Sequence, residues 1–451
     1  MFKNIRVIEL FAGVGGFRLG LEGYNGMSAS SGYKHALNSR FKVVWSNQWE
    51  PSTKKIQHAN IIYKKRWPEA NHSGLNIESV IEDGVNKIPN SNLLVGGFPC
   101  QDYSVANQLN MSKGLIGQKG VLWWSIYTII KKSEKRPEFL ILENVPRLLK
   151  SPRDRSGKDF YTILCCLNEL GYAVEWRVIN ASEYGAPQKR KRVYIFGVHK
   201  NARYHKEILK KKSSDIILES GVFAEAFKHK RVGSIRKIGK TSPLKSMRVN
   251  YKDTTSPFLD SGFMINGEFL SFKTKPYLSP ADSSLLGDVL QPINELEKKH
   301  LINFEEKLNK NLVVNWVGGK RQVIRTVGEK WRFLKGAKKL WKINRVSGYK
   351  YRYNEGKMNL FDDQKKPSRT IITREYTKAP NRMTHLINQG GVIRNLTPLE
   401  VERLNMFPDN HTMDEKLSDS KRVFLMGNAL VVGIIEKIGK TLQNKVDIFG
   451  L

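Results

Sequence analysis

Over its first two hundred residues the chain alternates short apolar, β-branched runs with stretches of helical period. IRVIEL (5–10), FKVVWS (41–46), NLLVGG (92–97), EFLILEN (138–144) and RVYIFGV (192–198) read as strands. PSTKKIQHANIIYKKRW (51–67), VLWWSIYTIIKKS (121–133) and FYTILCCLNELGY (160–172) read as helices. Such alternation predicts an α/β fold with a parallel sheet covered by helices on both faces. From Asn201 to about Lys366 glycine, serine and lysine are scattered and no period is sustained. Regularity returns in TPLEVERLNMF (397–407), where Thr397 caps a helix, Pro398 takes its first position and Glu400 stands three residues past the cap. GNALVVGIIEKIGKTL (427–442) reads as one final apolar helix. The expected organisation is a sheet domain over 1–198, a second, smaller and basic domain over 199–390, and a return to the first domain over 391–451.

Charge changes this picture most. The chain of 451 residues carries 76 Lys and Arg against 42 Asp and Glu, a net +34, which favours a polyanionic partner such as a phosphate backbone. Between 320 and 352 the cations meet a single acid, Glu329, and Trp331, Trp341, Tyr349 and Tyr351 are interleaved with them. A charge run is usually a solvated face; interleaved aromatics tilt this one towards nucleic acid. No apolar run approaches a membrane span, and MFKNIRVIELFAG reads as a strand rather than a signal peptide. Three cysteines, two of them adjacent, offer neither a disulfide framework nor zinc spacing, so no metal is expected and the setting is a reducing cytoplasm.

Four short segments could carry chemistry. FAGVGG (11–16) joins a strand to a helix, where glycines let a ligand approach backbone N–H groups and Phe11 could stack on a base. SNQWEPS (46–52) ends the second strand, where doubly wound folds contact a ribose. Trp49 is there either a stacking surface or core, and the residues leave both readings open. GGFPCQDYS (96–104) sets Cys100 in a polar loop behind Pro99, unlike Cys165 and Cys166, which fit an apolar helix. A working thiol needs nearby positive charge. QKRKR (188–192) could supply it, because strand alternation points Arg190 and Arg192 to one side and Lys189 and Lys191 to the other. ENV (143–145) places Glu143 at the carboxyl end of a strand, where ligand sites of open sheets lie.

The order FAGVGG, NQW, GGFPCQDYS, ENV, QKRKR, a long basic region, RNLTPLEVERLNMFPD and GNALV closely resembles the cytosine-5 DNA methyltransferases, over roughly 5–198 and 367–440. The resemblance implies a Rossmann-like sheet that binds S-adenosylmethionine, with the insertion as target-recognition domain and double-stranded DNA as partner. It implies that Cys100 attacks carbon 6 of a flipped-out cytosine and that Glu143 holds ring nitrogen 3 and the exocyclic amine. Arg192 would hold the carbonyl oxygen, with Arg190 near phosphate and thiolate. For the cofactor it implies Phe11 and Trp49 as adenine-stacking surfaces, the loop Ala12, Gly13, Val14, Gly15 and Gly16, and also Pro99 and Asn428. Two positions depart from the pattern: Gln48 replaces the usual ribose-binding Glu, and Asn76 the usual adenine-binding Asp. Binding is expected to persist, more weakly. Chains with one recognition region and no regulatory domain resemble modification enzymes of bacterial or phage restriction–modification systems, here a monomer whose endonuclease is a genetic rather than a physical companion. The tRNA-modifying branch shares these motifs but has a small recognition region; a dead scaffold that only binds DNA would not need Cys100, Glu143, Arg190 and Arg192. A nicotinamide dehydrogenase could explain FAGVGG but neither Pro-Cys nor the basic insertion.

Overall fold

The computed structural model describes residues 4–24, 39–50, 56–98, 122–152, 155–243, 255–277, 284–317, 319–344, 347–377 and 379–451. β1 (Ile5–Leu10), β2 (Phe41–Asn47), β3 (His72–Ser73), β4 (Leu93–Gly97) and β5 (Phe139–Asn144) are parallel, in the order β3-β2-β1-β4-β5. β6 (Tyr172–Asn180) and β7 (Lys191–His199) follow, with β7 lying antiparallel between β5 and β6. The parallel expectation therefore holds only for the first five strands. The link from β6 to β7 is too short for a parallel crossover, which needs a dozen or more residues.

β6 is absent from the apolar reading of the sequence because Glu175 and Arg177 interrupt it. Both are buried, and the Arg177 guanidinium donates to the carbonyls of Phe223 (3.1 Å) and Ile217 (2.5 Å). The helix expected over 160–172 spans Lys158–Glu169, which frees Tyr172 to begin this strand. β8 (His229–Lys240), β9 (Ser261–Ile265) and β10 (Glu268–Pro276), from the irregular stretch, extend the same sheet in the order β6-β9-β10-β8.

Strand alternation divides the core. Leu93, Val95, Phe139 and Ile141 face α1 (Gly16–Glu22), α2 (His58–Arg66) and the last helix, Val432–Phe449. Leu94, Leu140 and Leu142 face α3 (Ile77–Gly84), α4 (Leu122–Lys132) and α5 (Lys158–Glu169). The final helix expected over 427–442 is two helices, Asp419–Asn428 and Val432–Phe449. At the break Gly427 lies against the backbone of Ile372 and Thr373, where no Cβ fits, and Leu430 turns onto Gly16. The Thr397 cap is as expected: Glu400 N donates to Thr397 Oγ1 (3.2 Å) and Thr397 N to Glu400 Oε2 (2.9 Å). Arg394 clasps the same carboxylate with two bonds, of 2.8 and 2.7 Å.

Further along, the insertion builds two ribbons, β11 (Lys307–Asn315) with β12 (Arg321–Thr326) and β13 (Lys338–Ile343) with β14 (Lys350–Glu355). The helix Val327–Lys335 joins them over a small core of Phe304, Trp331 and Leu386. Among the described residues no helix is long and apolar enough to cross a membrane, and no cluster of three His, Cys, Asp or Glu side chains could hold a metal.

Candidate active site

The carboxyl ends of β1, β4 and β5 bring FAGVGG, GGF and ENV together. Leu10 is paired with Gly96, and Gly97 with Glu143. Both glycines sit at close approaches: a Cβ on Gly96 would stand 3.0 Å from the Leu10 carbonyl oxygen, and one on Gly97 would stand 3.2 Å from Glu143 Oε2. A side chain at Gly97 would crowd the carboxylate, and Pro99 and Cys100 follow in the chain. Those two residues lie outside the described ones.

Glu143 and Arg192 form an ion pair, Nε to Oε1, of 2.8 Å, with both side chains mostly but not wholly buried. Arg192 reaches it because β7 runs antiparallel beside β5, with Val193 opposite Asn144. The alternation read from QKRKR is present: Lys189 and Lys191 are exposed, Arg190 is buried and Arg192 half-buried. Arg190, however, is committed to protein. Its Nη2 donates to the Gly427 carbonyl (2.9 Å) and its Nη1 to that of Ile371 (3.4 Å). Burial, helped by the neighbouring Arg192 charge, pulls its pKa down to about 9. Gln188 works alongside it, donating to Leu404 O (3.1 Å) and accepting from Ile371 N (3.0 Å). The QKRKR segment is thus bolted to the 371 and 404–427 regions, which leaves Arg192 as its one guanidinium at the Glu143 carboxylate.

On the other side of β4 the loop 11–16 is held from β2. Ala12 N donates to Asn47 O (2.9 Å) and Gly13 N to Gln48 Oε1 (2.7 Å). Phe11 and Gly13 have positive φ, 54° and 56°, and a Cβ on Gly13 would meet nothing within 4 Å. The loop therefore presents an open backbone cradle. Gly15 (φ 84°) closes it by lying flat against the Trp67 ring, and Gly16 begins α1. Trp49 is half-buried just beyond Gln48, Asn76 caps α3 by accepting from Glu78 N (3.3 Å), and Asn428 is exposed at the end of its helix.

A family model for C-5 cytosine-specific DNA methylases matches residues 5–444. The chain belongs to that family. It is 41% identical over 446 residues to the type II methyltransferase M.Sau3AI of Staphylococcus aureus, covering 99% of this chain and 97% of that one. M.HhaI of Haemophilus parahaemolyticus is 31% identical over 192 residues, 43% of this chain and 48% of that one. Among solved structures, S. pombe Dnmt2 methyltransferase superposes with a TM-score of 0.55 at 14% identity, covering 98% of this chain and 99% of that one. The Entamoeba histolytica methyltransferase EhMeth gives 0.53 at 14%, with the same two coverages; both share the fold.

As a C-5 cytosine methylase the chain owes part of its site to residues that its motifs did not single out. Asn144, inside ENV, donates from Nδ2 to the Phe98 carbonyl (2.9 Å) and so anchors the backbone just ahead of Pro99. Its place beside Glu143 was the available signal. His411 carried no local signal: it comes from the tail, and its Nε2 lies 2.7 Å from the Val14 carbonyl. Burial holds its pKa down to about 3, so the neutral ring donates there. His411→Ala should weaken S-adenosylmethionine binding about 3- to 10-fold by calorimetry, as the loss of one buried hydrogen bond implies, and should leave duplex binding unchanged. Equal weakening of both would remove His411 from the cofactor loop's support.

Glu9, beneath the same loop, accepts from Tyr63 Oη (2.9 Å) and Arg18 N (3.4 Å), and burial pushes its pKa up from 4.5 to about 7. Between those two values the folded chain keeps a proton that the unfolded chain has lost. Stability therefore falls as pH rises through that window. Glu9→Gln should remove this part of the slope in urea unfolding compared at about pH 5 and about pH 7.5. An unaltered slope would place the titration elsewhere.

Proposed function

We propose that this chain methylates carbon 5 of a cytosine flipped out of one short duplex DNA sequence, through a covalent bond from Cys100. The single observation that carries the reading is the Glu143–Arg192 pair facing bare Gly97, with the open loop 12–16 on the adjacent strand. The residues fit S-adenosylmethionine: half-buried Phe11 and Trp49 offer rings, Gln48 and Asn76 offer neutral amides, and Gly13 leaves open space. When bound, that cofactor supplies an electrophilic methyl group.

The Cys100 thiolate adds to carbon 6 and pushes electron density onto carbon 5. Glu143 holds ring nitrogen 3 and the exocyclic amine, Arg192 holds the carbonyl oxygen, and the added charge is spread where those groups meet it. Carbon 5 takes the methyl group, a base removes the carbon 5 proton, and the electron pair left behind reforms the double bond as the thiolate leaves. Arg190 acts as a positioning residue for Arg192. Flipping costs a few kcal/mol of unstacking and unpairing, and the net charge of +34 favours the phosphate backbone that must be gripped.

The near full-length similarity to a type II methyltransferase supports the modification half of a restriction–modification system. Bisulfite sequencing of DNA from cells expressing the chain should show protected cytosines in one short motif, and purified protein should methylate duplex DNA but not tRNA. Methylated tRNA with unmodified DNA would move the chain to the RNA-modifying branch.

A further inference from the structure

The β13–β14 ribbon stands out from the rest of the insertion. Its root is fastened: Lys338 Nζ lies 2.6 Å from Glu355 Oε2, and Arg382 donates to the Leu334 carbonyl (2.8 Å) while pairing with Glu355 (3.0 Å). Beyond the root Trp341 (48% exposed), Ile343 (65%) and Tyr349 (69%) are bared. The edge of β13 is tied to the residues after β11, through a bridge from Leu340 to Trp316 and a bond from Val317 N to the Lys339 carbonyl (3.0 Å), so the ribbon is held in place while its large side chains stay exposed, and such a patch marks a partner. The described residues of its outer part, 339–344 and 347–354, include no acid. That absence makes the partner anionic.

The two faces differ. On one, Lys342 sits over the Tyr353 ring at 3.3 Å and Tyr353 Oη donates to Glu355 at 2.8 Å, so that face is satisfied within the ribbon. On the other, Lys350 lies over the Trp341 ring at 5.2 Å, and Trp341 is opposite Arg352 and Lys339 opposite Asn354. Arg352 and Asn354 are exposed, and neither side chain has a partner among the described residues. Residues two apart on a strand are about 6.6 Å apart, close to two base-pair steps of about 3.4 Å. A guanidinium and an amide at that spacing match the donor and acceptor edges of guanine and adenine, and the major groove admits a two-stranded ribbon. The ribbon also connects to the catalytic segment. Lys335, at the ribbon's root, and Arg369 share Asp362, at 3.4 and 2.6 Å, and Ser368 is bridged to Gln188.

We infer that the β13–β14 ribbon enters the major groove and that Arg352 and Asn354 read base edges there, beside the apolar surface of Trp341. This rests on duplex DNA being the substrate. The test is the sequence profile of methylation on a random duplex library by the wild type, Arg352→Ala, Asn354→Ala and Lys342→Ala, with calorimetric S-adenosylmethionine binding as the check on folding. Arg352→Ala and Asn354→Ala should each relax preference at one base pair by about 5- to 150-fold, the equivalent of about 1–3 kcal/mol. Lys342→Ala, on the satisfied face, should keep the wild-type profile. A sharp wild-type profile left intact by both Arg352→Ala and Asn354→Ala, or lowered equally at every sequence, overturns the ribbon's reading role alone. A wild type that binds cofactor yet methylates no duplex overturns the underlying reading as well.

Discussion

Cys100→Ser lowers methyl transfer to duplex DNA by at least about 10⁴-fold, the scale on which loss of a covalent nucleophile is felt, while S-adenosylmethionine and DNA still bind. Serine keeps the shape of the side chain, but a hydroxyl is a far weaker nucleophile than a thiol. The described backbone just ahead of this position is held by other groups. Asn144 holds the Phe98 carbonyl and Gly97 is flush with Glu143, so the backbone entering Pro99 should not depend on the sulfur. Single-turnover transfer of labelled methyl, alongside calorimetric cofactor binding, reads both halves. A serine variant retaining a few per cent of activity would remove Cys100 from the covalent step.

Glu143→Ala should lower kcat by about 10²–10³-fold, the range for losing one group aimed at developing charge, with little change in cofactor affinity. Because Arg192 lies 2.8 Å from this carboxylate, the two losses should not add. In a double-mutant cycle with Arg192→Ala the pair should show coupling of about 0.5–3 kcal/mol. Additive losses would mean that each side chain meets the substrate independently of the other.

Much of this site was legible because its signals are local. A strand ending in ENV, glycines before Pro-Cys, and alternating arginines in QKRKR each follow from a short-range rule, and the described parts lie where those rules put them. What was not legible depends on distant partners. β6 is masked by Glu175 and Arg177, whose burial makes sense only once the carbonyls of the 217–227 region surround the guanidinium. The break between Asn428 and Val432 is hidden in a continuous apolar run, and the close packing of Gly427 on the backbone at 372–373 beside it is a contact between distant segments. Gln48 reads as a ribose contact, yet its oxygen takes the Gly13 N–H, so one amide serves the loop before any ligand arrives. Arg190 reads as a partner of Arg192 in chemistry, and its guanidinium instead spans two carbonyls. The extension of the sheet by β8, β9 and β10 was unreadable because pairing across an edge is non-local.

Covalent catalysis by Cys100 is the centre of this account, and trapping it is the most direct test. In a duplex carrying 5-fluorocytosine at the target position, the thiol adds and carbon 5 is methylated, but there is no carbon 5 proton for a base to remove. The adduct should therefore persist in denaturant, require S-adenosylmethionine, and map by mass spectrometry to the peptide containing Cys100. A wild-type protein that methylates ordinary cytosine yet leaves no such adduct, or leaves it on another residue, would contradict the mechanism.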